Sequence, residues 1–219
     1  GTVTLHAFGE RWITNAGREN YYSGYWKTAN NERWSYYRTR AESQSCVVID
    51  PSEYGGQDLL AYSKFDVVES NKNNVYGISD ITANYASQVE SYRRGVQLAK
   101  NRSLVIVQDE IKLKEPSEVY SFFNIYRTDI EISEDGKSAI LSKNNKKMLV
   151  TVDCDQEYTL KSMFAEPLPT SPIPPNPNSP NIEFLKLAIH FDNVEDVNIR
   201  VCFIPYLCEH FFEEFMKVI

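Results

Sequence analysis

R-T-R-A-E-S-Q-S-C-V-V-I-D-P, residues 38–51, is the stretch from which the rest of the chain can be read. A polar run holding Arg38 and Arg40 gives way at Gln44-Ser45 to the apolar Cys46-Val47-Val48-Ile49, which Asp50-Pro51 closes. An uninterrupted run rich in β-branched residues and stopped by proline predicts a buried strand. The polar mouth of that strand is where a site would sit.

Just upstream, periodicity vanishes between residues 17 and 37 while Tyr21, Tyr22, Tyr25, Trp26, Trp34, Tyr36 and Tyr37 crowd in. A loop this long either covers one end of a fold or forms a binding surface. Tyr and Trp interleaved with Arg suit a sugar cleft, because ring faces stack on pyranose C–H surfaces and guanidinium groups clamp carboxylates or sulfates. On that reading Tyr25, Tyr36 and Arg38 are cleft candidates, and Arg40, Trp26 and Trp34 bind substrate; the plain alternative for each is packing. Between positions 11 and 40, six basic residues (Arg11, Arg18, Lys27, Arg33, Arg38, Arg40) stand against two acidic ones (Glu19, Glu32). This local +4 lies in a chain of formal net charge −7, an average that disfavours nucleic acid as a partner.

Length and composition point to one β domain. The chain has 219 residues, 13% of them aromatic, including 14 Tyr and 11 Phe, which favours pleated structure over a helical bundle. No run approaches the roughly 18 apolar residues of a membrane span, so a soluble protein is expected. The opening Gly1-Thr2-Val3 lacks both methionine and a signal-peptide pattern, and reads as a piece of a longer protein. Cys46, Cys154, Cys202 and Cys208 follow neither a disulfide framework nor a metal spacing. Buried thiols are expected, with Cys202 and Cys208 the one sequence-local pair that a disulfide could join.

Alternation predicts a hairpin over residues 2–13, then strands near 59–61, 65–68, 75–85, 89–98, 104–111 and 119–132. Asp135-Gly136 is a hairpin turn into 139–141, and 148–152 and 158–164 form the next pair. Residues 165–181 hold seven of the ten prolines, which excludes ladder strands. The remaining 182–219 offer strands at 184–191 and 197–204 and a short amphipathic helix over 207–218, with Leu207, Phe211, Phe215 and Val218 at helical spacing. Some 38 residues make too small a core to stand alone. The expectation is therefore a single all-β domain over 1–219, an antiparallel β-sandwich of supersandwich type with a short C-terminal helix, the Pro-rich loop 165–181 lying inside it.

Several of these pieces resemble one family. Trp12-Ile13-Thr14-Asn15-Ala16-Gly17 and Arg40-Ala41-Glu42-Ser43-Gln44-Ser45-Cys46-Val47-Val48-Ile49-Asp50 are similar to the strand ending I-T-D-x-G and to the R-(S/A)-x-x-H-N-T-(V/L)-V-(I/V)-(D/N) stretch of bacterial heparinase II/III-like polysaccharide lyases. The pattern Y-x-x-x-D-x-T-x-A-Y matches around Tyr76, Asp80 and Tyr85. The R…R-x-x-L-V-I-V-x-D hairpin matches at Arg93 or Arg94, Arg102 and Asp109, and a P-L-P-x-S-P loop precedes the last strands. The resemblance implies the C-terminal β-sandwich of a secreted or periplasmic lyase acting on acidic, uronic-acid polysaccharides such as glycosaminoglycans or alginate. Its chemistry would be β-elimination, with the catalytic groups in an N-terminal α/α toroid absent from this chain and the sandwich forming one cleft wall.

The resemblance also implies a zinc site, and here the chain departs from it. The family Asp and His positions hold Asn15 and Gln44, and the aromatic-His-Thr position reads Phe122-Phe123-Asn124. Neutral amides are weak zinc ligands, so no metal cofactor is expected, and Asn15 and Gln44 could hydrogen-bond each other instead. His6, His190 and His210 are scattered, and no nucleophile elbow, phosphate loop or dinucleotide fingerprint occurs. Two functions remain open: a lyase whose isolated sandwich is inactive, or a non-catalytic carbohydrate-binding or polysaccharide-assembly module.

Overall fold

A computed structural model describes residues 1–206 apart from 22–23, 29–31 and 55. The strands are β1 (Leu5–Ala7), β2 (Glu10–Ile13), β3 (Val47–Ile49), β4 (Lys64–Ser70), β5 (Val75–Asp80), β6 (Val89–Ala99), β7 (Leu104–Tyr126), β8 (Asp129–Ile132), β9 (Ser138–Lys143), β10 (Lys146–Cys154), β11 (Thr159–Phe164) and β12 (Phe184–Tyr206). They form one twelve-stranded sheet in the order β4-β5-β6-β7-β12-β10-β9-β8, with β2 and β3 added at β7, β1 at β2 and β11 at β12. Every pairing is antiparallel. The predicted helix over 207–218 and Cys208, the cysteine that a disulfide could join to Cys202, lie outside the described residues; among the described residues Cys46, Cys154 and Cys202 form no disulfide.

The sheet becomes a sandwich because two strands serve both of its layers. Residues 104–111 and 119–132 were expected as separate strands, as were 184–191 and 197–204. Instead β7 and β12 each run for 23 residues and pair along most of their length. Their ladder is interrupted between Lys112↔Asp196 and Ser117↔Val194, where Pro116 falls and where β12 shifts register twice. Proline cannot donate to a ladder, and a bulge bends a strand without ending it, so both strands pass from one layer to the other at this point. The true end of β7 comes at Arg127, at φ 46°.

Between the layers lies the core, where Trp12, Ile13, Val47, Ile49, Tyr92, Phe123, Leu187 and Phe203 are almost fully buried. The apolar run of the opening stretch is β3, which pairs with β7 through Val47↔Ser121, Val48↔Tyr120 and Ile49↔Val119. Residues 59–61 form a turn rather than a strand, its geometry fixed by the Leu60 amide donating to Asp58 Oδ1 at 2.8 Å. Arg94, rather than Arg93, pairs with Asp109: Nε and Nη2 donate to the two carboxylate oxygens at 2.5 and 2.7 Å, and Tyr92 Oη adds a third bond at 2.8 Å. Burial works most strongly against the Arg94 charge, but the Asp109 carboxylate together with Tyr92 and Cys46 reverses it and holds the guanidinium protonated.

Candidate functional site

The polar segment before β3 folds as three consecutive 3₁₀ turns, Glu32–Ser35, Tyr37–Thr39 and Ala41–Ser43. No long helix or ladder satisfies this backbone, so side chains do. The Pro-rich stretch 165–181 lies along it and is tied down at five places. Glu42 accepts from Ser171 Oγ at 2.7 and 2.6 Å and from the Leu168 amide at 3.4 Å. Glu19 Oε1 accepts from the Ser179 amide at 2.8 Å, the Tyr37 amide donates to Asn178 Oδ1 at 2.8 Å, and Asn176 Nδ2 donates to Tyr36 Oη at 3.1 Å. Arg38 completes the set, donating to Asn181 Oδ1, Pro180 O and Arg18 O at 2.8, 2.9 and 2.7 Å.

Arg40 is spent inside the fold rather than offered to a ligand. It is 4% exposed, and it donates to Glu42, to the Trp34 and Glu53 carbonyls, and to Ser52 O. A guanidinium in this position gathers carbonyls that have no strand partners. Tyr36 is fully buried and Tyr25 nearly so. Of the six residues singled out from the sequence, Trp26 is the one largely open to solvent, at 63% exposure, with Trp34 half-buried in between.

An exposed platform forms beside the clamp. Tyr21 stacks on Trp26 with centroids 5.1 Å apart and planes 28° from parallel, and Tyr25 meets both rings edge-on. Arg18 lies 4.7 Å over the Tyr21 ring. Arg33 lies 4.4, 5.6 and 5.3 Å from the Tyr25, Trp26 and Trp34 rings and donates to Tyr25 O at 3.2 Å. Sequence reading named the rings but missed Arg18 and Arg33, although both are among the basic residues that make this segment positive. The platform thus pairs two solvent-exposed rings, stacked on each other, with two cations, an arrangement that suits a sugar bearing an anionic group.

Next to it opens a groove of about 1050 Å³ between the 3₁₀ turns, the 53–60 loop and the Pro-rich loop, lined by Trp34, Gln44, Tyr54 and Leu60 among others. Two apolar side chains stand almost fully exposed on its rim, Leu60 at 96% and Ile173 at 94%. Its carboxylates are Glu32, Glu53 and Asp58.

Positions 15, 44 and 124 converge where β2 ends and β3 begins beside β7: the Thr14 amide donates to Asn124 O, the Asn124 amide to Ser45 Oγ, and Asn124 Nδ2 to Ser43 O. Asn15 and Gln44 do not bond each other. Gln44 Nε2 donates to Ser43 Oγ at 2.8 Å and to Arg38 O at 3.3 Å, while the buried Oδ1 atoms of Asn15 and Asn124 have no hydrogen-bond partner among the described residues. Lys186, opposite Asn124 in the ladder and fully buried, holds its ammonium 3.3 Å from Glu42 O and 4.1 Å from the Phe122 ring. Burial pushes it down to about 8, against the opposing pull of Glu42. Neutral amides beside a buried amine make a donor set that does not fit zinc. Among the described residues no group of three His, Cys, Asp or Glu is placed to hold a metal.

Comparison with known proteins agrees with this geometry at the level of family. The profile of the Heparinase II/III-like, C-terminal family matches residues 1–174, and the chain belongs to that family. A crystal structure of heparinase III superposes with a TM-score of 0.71 at 13% identity, covering 95% of this chain and 30% of that one. Heparan sulfate lyase HepC from Pedobacter heparinus gives 0.69 at 11% identity, covering 94% and 30%. The fold is therefore that of the heparinase III C-terminal domain, and the chain spans about a third of the length of these structures. No curated protein matches.

Proposed function

We propose that this domain is the C-terminal sandwich of a lyase that cleaves uronic-acid polysaccharides by β-elimination, and that it forms one wall of the cleft without chemistry of its own. The observation that carries this reading is the open Tyr21–Trp26 stack flanked by Arg18 and Arg33 on a domain of the heparinase II/III-like family. Stacking with adjacent cations holds a uronate ring and its carboxylate, while abstraction of the neighbouring proton falls to a preceding α/α toroid domain. The apolar rim at Leu60 and Ile173 suits contact with that toroid, since exposed apolar clusters of this kind mark interfaces. The reaction proceeds without zinc at positions 15 and 44; chelation with EDTA is expected to leave both turnover and melting temperature unchanged.

The decisive experiment is an ultraviolet assay for unsaturated uronate, with the longer protein on heparan sulfate, heparin, hyaluronate, alginate and bacterial capsular glycans. Turnover by the longer protein and none by residues 1–219 is the expected result. A second reading, a non-catalytic carbohydrate-binding or assembly module, is favoured by one observation: Tyr36, Arg38 and Arg40 are committed to internal bonds and leave few groups for chemistry. Silence of the longer protein on the whole panel, with salt-sensitive glycan binding retained, selects it.

A further inference from the structure

The outer face of the β5–β6–β7 layer carries a depression whose floor is a glycine with no conformational reason to be one. Register pairs Tyr76, Ile78 and Asp80 with Gln97, Gly95 and Arg93, and these in turn with Ile106, Gln108 and Glu110. Directly opposed residues share a face, so the nine form a three-by-three array with Gly95 at its centre. A hollow of about 240 Å³ opens over this array, with Gly95 among the residues that line it.

Glycine inside a strand costs stability, and it ordinarily marks a bulge, a left-handed backbone, a tight packing contact or the close approach of a ligand. The first three are excluded at Gly95. The ladders on both sides run through it without a register shift, and its φ is not positive. A Cβ there would meet only Ile78 Cγ1 at 3.7 Å and Gly77 O at 3.9 Å, ordinary van der Waals contacts. Its neighbour Gly77 is the instructive contrast, because a Cβ at that position would lie 3.0 Å from the Phe65 ring, so packing accounts for it.

The walls supply the remaining evidence. Arg93 and Gln97 stand at opposite ends of the hollow, about 13 Å apart along the strand. Neither makes a side-chain hydrogen bond among the described residues, and Arg93 stands between the carboxylates of Asp80 and Glu110, its directly opposed neighbours on the two flanking strands. Gln108, on the third side, is fixed by donating to Glu110 Oε1 at 3.0 Å and accepting from Arg200 Nε at 3.2 Å. Ile78 on the fourth side is apolar, with Tyr76 at the corner. An apolar floor rimmed by planar donors and acceptors, carrying little net charge, matches a sugar ring with its hydroxyls in the ring plane.

We propose that the hollow over Gly95 is a second carbohydrate site, separate from the Tyr21–Trp26 platform, which seats one pyranose unit between Arg93 and Gln97. The assignment of the ligand class rests on the polysaccharide reading above; the location does not. Amide chemical-shift mapping of residues 1–219 with tetrasaccharides of heparan sulfate, hyaluronate and alginate, and with a neutral cello-oligosaccharide, tests it. At least one probe is expected to shift the amides of residues 93–97, and Gly95→Leu is expected to weaken that response about tenfold or more while leaving shifts near Tyr21 and Trp26 intact. Trp26→Ala should do the reverse. Shifts confined to the platform would overturn this site and leave the platform standing, whereas shifts confined to residues 93–97 would do the opposite. A response at 93–97 that survives Gly95→Leu sinks the proposal, as does a Gly95→Leu protein that melts below the native one, since glycine would then be there for structure.

Discussion

At the scale of single residues, the buried charges decide most. Asp109 is 1% exposed and neutralises Arg94, itself 4% exposed. Asp109→Asn leaves that guanidinium buried without its carboxylate, and urea denaturation should show a loss of about 3–5 kcal/mol. Lys186 works in the other direction. Its folded value of about 8 lies below the ordinary 10.5, so between these two pH values the unfolded chain binds more protons and stability rises with pH. Lys186→Met should abolish that rise, worth at most roughly 3 kcal/mol; an unchanged difference in urea midpoint between pH 7.5 and 9.5 would count against it. In sequence, Lys186 is a lone charge in the apolar run Phe184-Leu185-Lys186-Leu187-Ala188-Ile189, and nothing local says what covers it. Only the overlying turn at Ala41–Ser43 makes it internal, and that contact spans more than a hundred residues of chain.

The elements show the same division between local and distant causes. Hairpins such as 135–136 and the apolar run of β3 were legible because turn chemistry and β-branching act over a few residues. The merging of four expected strands into β7 and β12 was not, because Pro116 looks like a stop and becomes a bend only when β12 shifts register opposite it. Likewise the aromatic segment announced itself, but which rings face water depends on the Pro-rich loop laid over it. Glu42 is the main tether of that loop. Glu42→Ala should expose residues 165–175 to faster hydrogen exchange and proteolysis, and should also cost about 3 kcal/mol or more, because Arg40 then remains buried without its carboxylate partner. On the platform, Trp26→Ala should weaken uronate binding about tenfold with little change in melting temperature, since that ring is mostly open.

For the molecule as a whole, alkaline pH is the telling variable. Burial, as the leading cause, raises the phenols of Tyr37, Tyr85 and Tyr92 above the ordinary value of 10. Their unfolded counterparts ionise near 10 while the folded ones stay protonated, so the folded state binds more protons and stability is lost as pH climbs past that value. Native protein should therefore be most stable between about pH 8 and 10 within the alkaline range, with the upper limb steep; a flat urea midpoint from pH 9.5 to 11 would contradict the burial of these rings. The unusual strand order has a consequence in time as well as in space. β12 sits in the middle of the sheet, between β7 and β10, yet it is almost the last part of the described chain to be made. The pairs Phe184↔Tyr126 and Phe203↔Val105 close loops of dozens of residues, so β10, β9 and β8 cannot join the sheet at β7 until β12 has been synthesised. A fragment cut at residue 174, where the family match stops, would lack the strand that joins β7 to β10; folding must wait until residues 184–206 have been made and should be slow.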